Sequence, residues 1–69
     1  MPTFFRWLTY QQKRNDSVGY IARKIIKSKK EKPITSNYLD WFLCIREMNS
    51  QQLIEDLNEA WEEYKKYTE

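Results

Sequence analysis

Three sets of residues in this chain have the types and spacing to bind charge or react. The first is the stretch YIARKIIKSKKEK, where Arg23, Lys24, Lys27, Lys29, Lys30 and Lys32 stand against one acid, Glu31. On a continuous helix Arg23, Lys27 and Lys30 fall within roughly 60° of one another. Lys24 flanks them, and Tyr20 adds an aromatic ring on which a base can stack. Such a cluster neutralises phosphates, giving binding that is salt-sensitive and largely blind to sequence. A helix C-terminus also favours cations through the backbone dipole, so a solvated helix end is the plainer reading of the same lysines. The second set is Glu55, Glu59 and Glu62, which share a helical face and have the chemistry to hold a hard cation. Without converging partners, three helical carboxylates are normally a solvated face. The third is Cys44, set in the apolar run WFLCI, where a thiol usually packs as a small inert hydrophobe.

Composition narrows the function classes. There is no histidine, so Ser–His and Cys–His nucleophiles and the usual near-neutral acid–base are missing. One glycine cannot build a phosphate-cradling loop. A zinc site is disfavoured with one cysteine and no imidazole, and no intrachain disulfide can form. These absences point away from an enzyme and from a cofactor. The single cysteine and the lack of an apolar leader lead us to expect a cytoplasmic protein. WFLCI is far too short to cross a bilayer, so no membrane association is expected.

The net charge of +2 conceals an asymmetry. Residues 1–32 hold nine Lys or Arg against two acids, and residues 33–69 hold three against eight. Such polarity suits a nucleic-acid surface, self-association between basic and acidic faces, or pairing within the molecule. For self-association, Arg23, Lys24 or Lys27 of one copy would meet Glu55, Glu59 or Glu62 of another.

The elements that must position these groups read as helices within one domain, residues 1–69. Thr3 is placed to cap a first helix running to about Gln12, with Phe4, Phe5 and Leu8 on one arc and Trp7 and Tyr10 on another. Asp16 or Ser17 caps a second, where Val18, Ile21, Ala22 and Ile25 follow the i, i+3, i+4, i+7 rule and the helix stops near Ser28. Gly19 marks the close approach of a neighbouring helix. Pro33 breaks the chain. A third helix then runs from Thr35 or Ser36 to about Met48, apolar nearly all round, hence either central or partly covered by a partner. Asn49 and Gln52 resemble a capping box for a fourth helix, with Leu53, Leu57, Ala60, Trp61, Tyr64 and Tyr67 inward and a Glu62–Lys66 pair outward.

A core this small leaves apolar surface over. Trp7, Tyr10, Trp41 and Leu43 are the candidates for an interface with another protein, since exposed aromatics on a helical face are typical anchors. Their alternative is burial in the core.

The run FFRWL, then QQKRNDSVGYIA, Pro33, Tyr38 and EAWEEY together resemble the YozE-like family, small bacterial proteins with a fold similar to the sterile alpha motif. The resemblance rests on Phe5, Trp7, Leu8, Gln12, Arg14, Asp16, Gly19, Ala22, Pro33, Tyr38, Ala60, Trp61 and Tyr64. It implies a compact all-α bundle of four to five helices, similar to the sterile alpha motif (SAM-like), and carries no activity with it. The sequence departs from the family pattern in its lysine-rich 27–32 segment and in DWFLCI. The expectation is a non-catalytic helical binding module: a protein-interaction adaptor, inhibitor or self-associating unit first, a nonspecific nucleic-acid binder through residues 20–32 second.

Overall fold

The computed structural model describes residues 3–29, 31–33 and 35–68. Four helices appear among them: α1 (Phe4–Thr9), α2 (Ser17–Lys27), α3 (Tyr38–Arg46) and α4 (Gln51–Thr68), with no strand. The protein is a small all-α bundle.

Local chemistry sets each boundary. Thr3 caps α1, its hydroxyl accepting from the Arg6 amide at 3.2 Å. The helix ends at Thr9, three residues before the expected stop, where it tightens into i→i+3 turns. Tyr10 N donates to Trp7 O at 3.1 Å and Gln11 N to Leu8 O at 2.9 Å, and side chains supply further donors to its last carbonyls. Thr9 Oγ1 donates to Arg6 O at 2.7 Å, Gln11 Nε2 to Trp7 O at 3.2 Å, and Gln12 Nε2 to Thr9 O at 3.0 Å. Asp16, not Ser17, caps α2 by accepting from the Gly19 amide at 3.0 Å. Residues Thr35 and Ser36 do not cap α3. The Thr35 hydroxyl donates to Asp40, and Ser36 Oγ accepts from the Phe4 amide at 3.0 Å, which ties the α2–α3 connector to α1. Asn37 caps α3 instead, through Leu39 N at 2.9 Å. The capping box at Asn49 is likewise absent. Asn49 sits at φ 53°, the left-handed turn position asparagine tolerates, and Ser50 Oγ accepts from Leu53 N at 3.3 Å at the start of α4.

The core is aromatic and centred on Phe4. Its ring lies 4.7 Å from Trp61, 5.1 Å from Trp41, 5.3 Å from Tyr64 and 6.0 Å from Trp7. Val18, Ile21, Ala22 and Ile25 of α2 are buried as their spacing requires, together with Leu53, Leu57 and Ala60 of α4. The helix in contact with each of the others is α4, not the all-round apolar α3. Tyr67, expected inward, is exposed, and the ion pair on the outer face of α4 joins Glu62 to Lys65 at 3.6 Å rather than to Lys66.

Gly19 does mark a close approach, but the neighbour is the backbone of Arg14 rather than a helix. A Cβ at Gly19 would lie 2.0 Å from the Arg14 carbonyl oxygen. The α1–α2 connector therefore lies directly on the first turn of α2.

Candidate functional site

The basic face of α2 keeps only part of the expected cluster. Tyr20, Arg23, Lys24 and Lys27, at i, i+3, i+4 and i+7, line one shallow notch of about 140 Å³. Arg23 is not a free arm. Its Nη1 donates at 2.8 Å to both Gln12 O and Arg14 O, pinning the guanidinium across the connector. Those acceptors are neutral carbonyls, so the positive charge remains. Lys24 Nζ lies 5.5 Å from the centre of the Tyr20 ring, a loose cation–π contact. Lys27 is exposed, and Lys30 lies outside the described residues. No acid occurs in α2, and among the described residues no carboxylate pairs with Lys24 or Lys27.

A second charged constellation was not legible in the sequence. Arg14 bridges Asp16 and Glu63. Its Nη1 and Nη2 donate to the two oxygens of Glu63 at 2.8 and 3.1 Å, and its Nε and Nη2 to Asp16 Oδ2 at 3.0 and 2.6 Å. Glu63 foremost, then Asp16, hold the guanidinium firmly in its charged form. The bridge clips the connector to α4. Asp16 is thereby held below the ordinary carboxylate range, first by the Gly19 amide and then by Arg14. A carboxylate whose folded-state pKa is depressed contributes stability that is whole above its unfolded value, about 3.9, and is lost as pH falls toward the folded one. An Asp16→Asn protein should therefore melt below the parent at about pH 7, with the two melting temperatures drawing together as the pH falls below the ordinary carboxylate range. Parallel thermal melts followed by circular dichroism check this.

The four candidate anchors divide. Trp7 is 6 % exposed and Trp41 is fully buried, so both leave the list of surface anchors. Trp7 is covered because α1 packs between α2 and α4, which closes over both of its arcs. Trp41 stacks near Phe5, at 6.0 Å, and its indole N–H donates to Thr35 O at 2.9 Å. Tyr10 remains 73 % and Leu43 47 % exposed. Leu39, which the sequence did not single out, is exposed as well and lies one turn before Leu43.

Around α3 the apolar surface is continuous. At 100° per residue, Tyr38, Phe42, Leu39 and Leu43 occupy about 140° of the circumference. Tyr38 and Phe42 are half-buried, their rings 6.0 Å apart. Tyr38 reaches α4, where its hydroxyl donates to Asn58 and its ring meets Trp61 edge-on at 5.6 Å. Tyr38, Asn58, Trp61, Glu62 and Lys65 line an open groove of about 430 Å³ between the two helices. An aromatic floor with charged sides is suited to holding an apolar side chain while fixing its orientation.

The acidic face of α4 is solvated: Glu55, Glu59, Glu62 and Glu63 border one shallow depression with Asn58. Among the described residues no group of three Cys, Asp or Glu is arranged to hold a metal ion. Cys44 is half-buried on α3. None of the described helices is long and apolar enough to cross a membrane. No family model, curated protein or solved structure matches this chain, so the YozE-like resemblance rests on the residues quoted for it.

Proposed function

We propose that the chain is a non-catalytic binding module that docks another protein on the outer face of α3, and that it works in the cytoplasm. The carrying observation is the pair Leu39 and Leu43, 58 % and 47 % exposed and four residues apart on one helical face. A chain that buries three or more rings from three helices around one phenylalanine has apolar residues to spare, and α3 carries this pair on its solvent side. The half-buried Tyr38–Phe42 stripe lies between the leucine pair and the groove at Trp61, which offers a partner adjoining apolar side chains rather than isolated ones. Anchors at i and i+4 are what an amphipathic helix of a partner meets when it lies along such a strip. Asp40, exposed on α3 beyond Leu43, supplies a polar rim, and the exposed Arg46 closes the strip at its C-terminal end. The absence of histidine and of a glycine-rich loop supports the non-catalytic part of the reading.

Photo-crosslinking tests the surface. A crosslinker at position 39 or 43 should capture the same partner, and one at Glu55 on the acidic face should not. A Leu39→Asp, Leu43→Asp protein should keep the parental helix content and lose the partner, each truncated anchor costing about 2 kcal/mol of binding. Equal capture from all three positions, or a double variant that still binds, would place the interface elsewhere.

A further inference from the structure

We infer that the notch formed by Tyr20, Arg23, Lys24 and Lys27 binds the sugar–phosphate backbone of single-stranded nucleic acid, with Tyr20 stacking on a base. This site is separate from the α3 surface and does not depend on it. Three cations converge on one depression of about 140 Å³, and none is paired with a described carboxylate. An internally neutralised face would have spent that charge. The acids that are paired nearest in sequence or fold, Asp16 and Glu63, are bound to Arg14.

Arg23 is already oriented. The carbonyls of Gln12 and Arg14 hold one end of its guanidinium, so binding a phosphate through its remaining donors loses little side-chain freedom. Lys24 and Lys27 are exposed and lie on the same face. Tyr20 selects among polyanions. Tyr20 is 41 % exposed, and the Lys24 ammonium lies 5.5 Å from the centre of its ring. When Lys24 moves to a phosphate, that ring face opens to a base, a contact that an acidic peptide has no counterpart for. A flexible single strand can present both groups to so small a notch. The helix that follows in sequence, α3, is too apolar to read base edges, so the binding is not sequence-specific.

The test uses fluorescence anisotropy of a labelled oligothymidylate, with an abasic strand of the same length and poly-glutamate as competitors. Three phosphate contacts predict a single-strand salt slope of about −2, a loss of about 15- to 20-fold in affinity between 50 and 200 mM salt. Lys24→Ala with Lys27→Ala, both exposed and remote from the core, should flatten the slope to about −0.7. Tyr20→Leu should weaken the thymidylate about fivefold and leave the abasic strand unchanged. No binding at about 50 mM salt would overturn the assignment, as would equal competition by poly-glutamate. Self-association that dissolves in salt and disappears in Glu55→Lys, Glu59→Lys, without oligonucleotide binding, would give the notch to a second copy and overturn it too.

Discussion

A Trp41→Ala protein should fail to fold at ordinary temperatures. Trp41 is fully buried, its ring meets Phe4 and Phe5, and its indole N–H satisfies the Thr35 carbonyl. Truncating a buried tryptophan costs about 3 to 5 kcal/mol, the transfer of its ring plus the cavity left behind. A single core in a chain below about 70 residues rarely supplies more than about 3 to 5 kcal/mol in total. The two figures meet, so the variant should lose most of its helical circular dichroism and show no cooperative melt. Trp41→Phe, which keeps the ring packing and loses only the smaller part of the volume and the indole hydrogen bond, should remain folded with a lowered melting temperature. A Trp41→Ala protein melting within a few degrees of the parent would show that the core does not depend on this ring. The result also bears on the interface: loss of partner binding in this variant would report unfolding, whereas Leu39 and Leu43 can be changed without opening the core.

Gly19→Ala should be strongly damaging, although it adds only one methyl group. On an ordinary helix it would stabilise by up to about 1 kcal/mol. Here the new Cβ would lie 2.0 Å from Arg14 O, 2.6 Å from its carbonyl carbon and 2.9 Å from its Cβ. Backbone cannot rotate away as a side-chain tip can. Moving Arg14 outward breaks the hydrogen bond its carbonyl receives from Arg23 and strains the bridge to Glu63. The clash outweighs the propensity gain, and we expect a net loss of about 2 kcal/mol or more, at the upper end of overpacking effects. For a domain this size the melting temperature should fall by about 10 °C or more. A double-mutant cycle with Glu63→Gln should be non-additive, because the first change has already loosened the contact that the second removes. Additive losses would mean that the connector moves without disturbing the bridge.

The amphipathic helices α2 and α4 were legible because one face of each is strongly apolar and the other strongly charged. The Asp16 cap and the buried stripe from Val18 to Ile25 followed from that pattern. For α3 the wheel was silent. With apolar residues on nearly every side, spacing cannot tell which arc turns inward, and the bundle buried the bulky Trp41 and Ile45 while leaving Leu39 and Leu43 outside. Trp7 was misplaced for a related reason: α1 is short enough to be covered by two neighbours, so both of its arcs became interior. Tyr10 escaped because it lies just past the last residue of that helix. Contacts between distant residues left no local trace. The Arg14–Glu63 bridge spans 49 positions, and Asp56, a buried acid that accepts from Gln52 Nε2 at 3.0 Å, reads in the sequence as one more surface carboxylate. The basic stretch was found, but the sequence did not show that Arg23 is committed to the carbonyls of the connector.

The position of Phe4 also governs when the protein can fold. Its ring partners Trp41, Trp61 and Tyr64 are all distant in sequence, and two of them lie in the last helix. A nascent chain emerging from the ribosome can form α2 as a local helix early, but the ring cluster around Phe4 stays incomplete until residues 61–64 are clear of the exit tunnel. The loop-closure entropy of nearly the whole sequence must be overcome before those rings repay it. Folding of this domain therefore waits for its last helix. Chains arrested before residue 61 should expose their aromatic residues to chaperones and proteases, however complete their first helices are.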